Sequence, residues 1–511
     1  MSSWSEGYVN NVTYTHGYYP NLNPRQMIIP FLMARLPVPK VVNACELGFG
    51  QGVSLNVHAA AGRARWYATD FNPAHALFAQ NLADKADPEK LLIADQGFNE
   101  FCRRDDLPEF DFIGLHGIWS WISEDNRRII VDFVRRKLKL GGVLYVSYNT
   151  LPGWSAHAPM RHLLLQYNKY SSTVHSQEEN TANAIAQTET VLSHSHVLLQ
   201  NAPDILNRTQ KLAQQDRNYL AHEYLNQDWQ PMYFADIEKS LSEAKLSFAC
   251  SARYLEDFAE CLYDDEQRRL MEETQNPSLR QTIKDFLLNT QFRSDFWIKG
   301  RYLLNEEELR REWAKLTVLL LKPRADISYQ ITRHRTIQLS AELLDPLLDI
   351  LQDYERHNVG DLMVQLAGKV NFAQLTNLIA LLASLEELAL VQDEDTIAAV
   401  TESTQKLNLE LLERSSTHHN PIVHLASPVT GGAYTFWRME QLFLLAHARG
   451  IPQAQWTQYV WGILQNLNQV MIRNGEALQD EADNLAELSQ LKDQFVAFKY
   501  AQALRLGIVP A

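Results

Sequence analysis

The sequence predicts an α/β core, an open and mostly parallel sheet covered by helices on both faces, with a helical insertion and smaller regions after it. Three observations carry this. Short apolar runs alternate with helical stretches between residues 41 and 150, a glycine-rich turn closes the first run, and the alternation stops after residue 155. The stretch VVNACELGFGQGVSLNVHAAAG from Val41 reads as strand, loop and helix. Trp66 to Thr69 make a second strand that Asp70 ends, and Asn72-Pro73 open a helix. Leu91 to Ala94, closed by Asp95, is a third strand, and Phe110 to Leu115 a fourth. The helix NRRIIVDFVRRKLKL then leads through Gly141-Gly142 into a fifth, VLYVSYNT.

Residues 156–229 change to polar helical patterns with few glycines and are predicted to be an insertion within the core. The segments KLSFACSARY and QFRSDFWIKG (residues 245–254 and 291–300) read as two further strands closing the same sheet. The core domain would then be discontinuous, 1–155 with 230–300. Residues 301–341 are assigned small α+β structure. Residues 342–400 read as a winged-helix-like domain of three helices and a short hairpin, and 401–511 as a loop and packed helices. In the winged-helix-like part Asp345, Asp349, Asp353, Glu355, Asp361, Glu386 and Glu387 face only Arg356 and Lys369, which argues against DNA reading.

A chain of 511 residues calls for about three or four domains, and 46% hydrophobic with 21% charged residues is enough apolar material to fold them. The net charge of −14 gives no electrostatic reason to seek nucleic acid or anionic lipid. Four scattered cysteines without a CxxC pair suggest neither disulfides nor a zinc site, which fits a reducing cytoplasm. His194, His196 and the pair His418-His419 stand in polar stretches without cysteine neighbours and read as solvated, so no metal is expected. No signal-peptide pattern and no run of about 18 apolar residues is found, so neither export nor membrane insertion is expected.

The strongest chemical signal is Glu46-Leu47-Gly48-Phe49-Gly50-Gln51-Gly52 at a strand end and helix start. Glycines there let the chain turn tightly and let a ligand lie against main-chain N–H groups. A nicotinamide fingerprint wants a third glycine where Val53 stands, so the odds move away from NAD. Asp70 ends the next strand about 20 residues beyond Gly48, the spacing at which a carboxylate accepts from ribose hydroxyls. Asp95, in Asp95-Gln96-Gly97-Phe98, ends the third strand. These groups would meet at one sheet edge, with Phe71 and Phe98 available to sandwich a base.

ELGFGQG, ATDFN and IADQGF resemble the cofactor motifs of class I S-adenosylmethionine-dependent methyltransferases, whose Rossmann-like sheet matches the predicted core. The resemblance implies that Gly48, Gly50 and Gly52 pass the methionine part, Asp70 holds the ribose and Asp95 contacts the adenine amino group. Glu46 would act near the cofactor amine, and Gln96 belongs to the third motif. YTHGYYPNLNPRQMIIPFL, HGIWSWI, SYNTLPGWSAHAPMRHLLLQY and YLAHEYLNQDWQPMYFADI extend the likeness over residues 14–300. They are similar to bacterial methyltransferases with a methyltransferase regulatory domain, among them rickettsial protein-lysine methyltransferases that modify outer-membrane proteins. That likeness implies a homodimer formed through the insertion and a protein substrate, such as a secreted or outer-membrane protein before export.

A lysine acceptor must lose its proton before it can attack, and an aromatic pocket favours that loss. The candidates for the methyl-transfer site are His116, Trp119 and Trp121 after strand four, Tyr148, Asn149 and Trp154 after strand five, and Tyr14, Tyr18 and Tyr19 from an N-terminal lid. Of these, Tyr18, His116, Trp119 and Tyr148 are expected to be catalytic. For Trp119, Trp121, Trp154 and Tyr19, packing is the competing role, and for His116 a hydrogen-bonded structural one. The competing functions are methylation of a small metabolite or carrier-bound intermediate, and a binding scaffold that keeps the fold without catalysis.

Overall fold

A computed structural model describes residues 15–170, 176–214, 220, 224–417 and 422–510. Tyr14 and the pair His418-His419 lie outside the described residues. Seven strands form the central sheet: β1 (Asn43–Leu47), β2 (Arg65–Thr69), β3 (Leu91–Ala94), β4 (Phe110–Leu115), β5 (Leu138–Asn149), β6 (Leu246–Ser251) and β7 (Phe292–Lys299). Their order is β3-β2-β1-β4-β5-β7-β6. The first five run parallel and β7 is antiparallel to both β5 and β6. The expected α/β class holds. The sheet order reverses at β1, so the crevice beyond the carboxyl ends of β1 and β4 is where such a sheet binds ligands.

One boundary differs. The helix before β5 stops at Lys137, and β5 begins at Leu138, which pairs with Phe110 across a register shift. Gly141-Gly142 therefore lie within the strand, the bulge absorbing the bend expected to be a turn.

The insertion contains helices Ala158–Lys169, Gln177–Ser193, His196–Asn201 and Asp204–Leu212, packed on their own cluster around Met160, Leu164, Leu192 and Ile205. The winged-helix-like part has helices Ala341–Leu351, Val359–Gln365 and Phe372–Ser384. In place of the expected hairpin, its sheet is completed from outside. The central strand is Thr317–Leu320, from the region before it, flanked by His357–Asn358 and Leu388–Val391. The apolar run LTVLLL was the signal, and its burial between two partners is why it lacks polar alternation.

The C-terminal region is fixed directly to the sheet. Helix Val53–Ala61, which follows the glycine loop, is buried on every side, and its outer face packs with Leu82 against Leu407, Leu411 and Leu412 of helix Glu394–Ser415. Its free terminal carbonyls are taken up by the same region: Ser403 and Thr404 hydroxyls donate to Ala60 O at 2.8 and 3.0 Å, and the Gln392 amide donates to Ala61 O at 2.8 Å.

Candidate active site

The glycine loop leaves β1 with Gly48, Gly50 and Gly52 all in the left-handed region, at φ of 76°, 57° and 68°. A side chain is excluded by space as well as by φ. A Cβ on Gly48 would stand 2.5 Å from Ile118 Cδ1, and one on Gly52 2.6 Å from Ala79 Cβ.

Asp70, buried just beyond β2, holds this loop in place. Its Oδ2 accepts the Gly50 N–H at 2.8 Å, and its Oδ1 accepts the Asn72 N–H at 3.0 Å and faces His75 Nδ1 at 3.2 Å. Hydrogen bonds to a carboxylate are the strong kind, so the loop is shaped before any ligand arrives. Glu46 in β1 is 2% exposed, and its Oε2 has no hydrogen-bond partner. Burial, with the Asp70 charge adding to it, pushes the Glu46 carboxyl up to about 8.

A carboxyl whose value is raised by folding contributes stability below its unfolded value and loses it as the pH rises through the folded one. We expect the ligand-free protein to lose stability as the pH climbs from about 4.5 toward 8, and Glu46→Gln to flatten that slope; thermal melts across this range measure it.

Glu46, Gly48, Gly50, Asp70 and His75 line one cavity together with Phe49, Phe71, Gln96, Phe98 and Asn126. Tyr19, Leu22, His116, Ile118 and Trp121 form its inner wall. Of the expected cofactor residues, Glu46, Gly48, Gly50, Asp70, Phe71, Gln96 and Phe98 meet here. Gly52 stands one step behind, at the start of helix Val53–Ala61, and Asp95 is exposed and outside the lining. The chain turns after Ala94 so that Gln96 comes inward, its carbonyl accepting from the Thr69 hydroxyl.

The expected catalytic residues separate. His116 lies in the wall, stacked on Tyr19 with ring centroids 4.4 Å apart, and its Nδ1 is hydrogen-bonded to Tyr145 Oη at 2.7 Å. Burial, reinforced by the Arg253 charge, pushes His116 down to about 4, so the imidazole is neutral at pH 7. Trp119 is fully buried in the core behind the wall, and it is Trp121, at the other end of the same short turn, that reaches the cavity.

Tyr148 is also a core residue. Alternation along β5 puts Tyr145 and Ser147 on the face toward His116 and Tyr148 on the opposite one, where its hydroxyl donates to Asp295 at 2.8 Å. Tyr18 is next to the wall residue Tyr19 but turns away. Its hydroxyl accepts the Ala433 N–H at 3.2 Å, lies 3.3 Å from His58 Nε2 and is pushed above its usual range by burial.

Two contributors come from far along the chain. Asn226 and Asp228 close the cavity from the segment where the insertion returns to the core. Arg161 donates to Asn226 O at 2.8 Å, while Arg127 joins Gln230 to the turn carbonyl of Ile122. His75 and Asn126 are local contributors that sequence reasoning also missed. The Asp70-x-Asn72-x-x-His75 spacing, which turns the histidine back at the start of a helix, was the available signal for the first.

Residues 216–299 match the family described as a predicted methyltransferase regulatory domain. The uncharacterized protein sll1526 of Synechocystis sp. is 35% identical over 99% of this chain and 100% of its own length. The uncharacterized protein RP789 of Rickettsia prowazekii is 30% identical over 28% of this chain and 26% of its own. Among solved structures, PKMT2 from Rickettsia typhi in complex with AdoHcy overlays with a TM-score of 0.70 at 14% identity, covering 97% of this chain and 99% of that one. The fold is therefore shared along almost the whole length, including the parts beyond the sheet.

Proposed function

We propose that this chain, which belongs to the same family as the Synechocystis protein and itself matches the methyltransferase regulatory domain over residues 216–299, is an S-adenosylmethionine-dependent methyltransferase acting on lysine side chains of a protein. The observation that carries the reading is Glu46, whose buried Oε2 has no partner, in the lining of a cavity bounded by a preshaped glycine loop and aromatic rings. An apolar pocket with a few convergent acceptors suits a nucleoside carrying an amino acid. The AdoHcy held by the Rickettsia typhi protein supports the same choice. The lysine acceptor rests on the resemblance of residues 14–300 to the rickettsial protein-lysine methyltransferases.

In this reading Phe71 and Phe98 flank the base, Asp70 takes the ribose hydroxyls and Glu46 receives the amino group. S-Adenosylmethionine supplies, when bound, a methyl group activated on a sulfonium. What remains for the chain is to hold the acceptor in line, exclude water and tolerate loss of the acceptor's proton. Leu22, Ile118 and Trp121 keep the inner wall apolar, and Tyr19 and Tyr145 hold the His116 ring between them. Replacement of His116 by alanine should lower turnover roughly tenfold or more while the cofactor's dissociation constant stays within about threefold. Equal losses in both would reduce His116 to a cofactor contact.

Transfer of labelled methyl from S-adenosylmethionine to mixed cell protein, compared with a small-molecule extract, tests the substrate class, and mass spectrometry of the labelled protein tests lysine. Label confined to small molecules would overturn the protein-substrate reading. We further propose a homodimer formed through residues 156–229, where Tyr170 and Val197 are strongly exposed. A monomer in light scattering at micromolar concentration would refute it. A cytoplasmic location is proposed with it, and no described helix is long and apolar enough to cross a membrane.

A further inference from the structure

A second, larger cavity adjoins the first, and the two share Tyr19 and His116 as lining residues. It is built from parts far apart in the chain: the segment of Tyr18 to Pro30, the turn of Ala252 to Leu255, the winged-helix-like wall of Ala380 to Leu390, and the hairpin loop of Thr430 to Thr435. These parts are joined by specific bonds. The Asn23 amide donates to Gly431 O at 2.7 Å, and the Arg25 guanidinium donates to Thr430 O and Val391 O, both at 3.0 Å. The cavity is therefore held open by built contacts between the catalytic sheet and the C-terminal half.

Where the cavities meet, the walls are aromatic, with an arginine close behind them. Around His116 stand Tyr19 from the N-terminal segment, Tyr145 from β5 and Phe292 from β7, all uncharged, and Arg253 lies 5.5 Å over the Phe292 ring. Among the described charged groups, Arg253 adds to burial in disfavouring positive charge on His116. The acids Glu46, Asp70 and Asp228 line the first cavity only, while the second has Arg25, Arg253 and Arg333 with Glu386. Arg25 is occupied by its two carbonyls, whereas the Arg253 side chain is 43% exposed and paired with Glu256 at 3.3 Å.

We propose that the second cavity is the acceptor's chamber and that Arg253 makes it selective for an uncharged amine, excluding the ammonium form at the junction beside Tyr19 and His116. This deepens the methyltransferase reading and rests on it. A lone pair is what an attacking amine needs, and a neighbouring cation lowers the pKa of an amine brought beside it. Arg253 thus acts as a positioning and selecting group, distinct from a proton acceptor.

Analogues of S-adenosylhomocysteine with a short chain extending from the position of the transferred methyl test this without knowledge of the natural acceptor. Three probes suffice, with the chain ending in a hydroxyl, a carboxylate or a trimethylammonium group, each titrated calorimetrically against the full-length protein and S-adenosylhomocysteine itself. The trimethylammonium probe is expected to bind at least about tenfold more weakly than the hydroxyl probe. Arg253→Gln should remove that difference and Arg253→Glu reverse it, with S-adenosylhomocysteine affinity within about twofold throughout. Equal binding of the cationic and neutral probes by the wild type, or a difference that survives in both variants, overturns the proposal while leaving the cofactor reading intact. Failure of S-adenosylhomocysteine itself to bind overturns both.

Discussion

Asp70→Ala is expected to weaken S-adenosylmethionine binding by 100-fold or more, about 2.7 kcal/mol, and to destabilise the free protein by a further ~1–3 kcal/mol. Both effects have one origin. The carboxylate holds the Gly50 and Asn72 N–H groups and faces His75, so its loss frees the loop that must present main-chain groups to the ligand. It also removes the acceptor assigned to the ribose. Asp70→Asn should fall between the two, keeping an acceptor but losing the charge. Titration of the variants with S-adenosylmethionine, with denaturant unfolding in parallel, measures both; an affinity within threefold of wild type would remove Asp70 from the binding site.

The second large effect is on stability alone. Arg293 in β7 is nearly inaccessible and donates to Asp285 Oδ1 at 2.8 Å and to Asp295 Oδ2 and Oδ1 at 2.8 and 3.1 Å. Its guanidinium lies 4.7 Å from the Phe234 ring centroid, and Tyr148 completes the network through Asp295. Arg293→Met would leave two buried carboxylates without their cation, a change that costs about 3–5 kcal/mol. Urea unfolding should show that loss, with cofactor affinity preserved in whatever remains folded. A loss below about 1 kcal/mol would mean that water reaches the network.

The same network shows why the sequence misplaces Tyr148. Strand β5 was recognisable from VLYVSYNT, but which of its two tyrosines faces the cavity depends on strand parity relative to β4, set by the register shift near Phe110. Tyr145 and Tyr148, three apart, necessarily lie on opposite faces. Trp119 and Trp121 pose the same problem in a short turn, where no periodicity tells inside from outside. Glu46, the three glycines and Asp70 were legible because their signal is local, a strand end followed by a conformation that only glycine adopts easily. Asn226 and Asp228 had no such signal. They reach the cavity only because the insertion returns its chain across the sheet edge, under the hold of Arg127 and Arg161. The strand Thr317–Leu320 was visible as an apolar run, but its partners lie in segments beginning near residues 357 and 388, and pairing at that distance cannot be read from the run.

The central claim is that the cavity behind the glycine loop binds S-adenosylmethionine. Calorimetric titration of the full-length protein with S-adenosylmethionine, and separately with NAD, tests it most directly. Saturable binding of S-adenosylmethionine at about one site per chain, with no heat from NAD, is the predicted result. Binding of NAD, or of neither ligand, would contradict it.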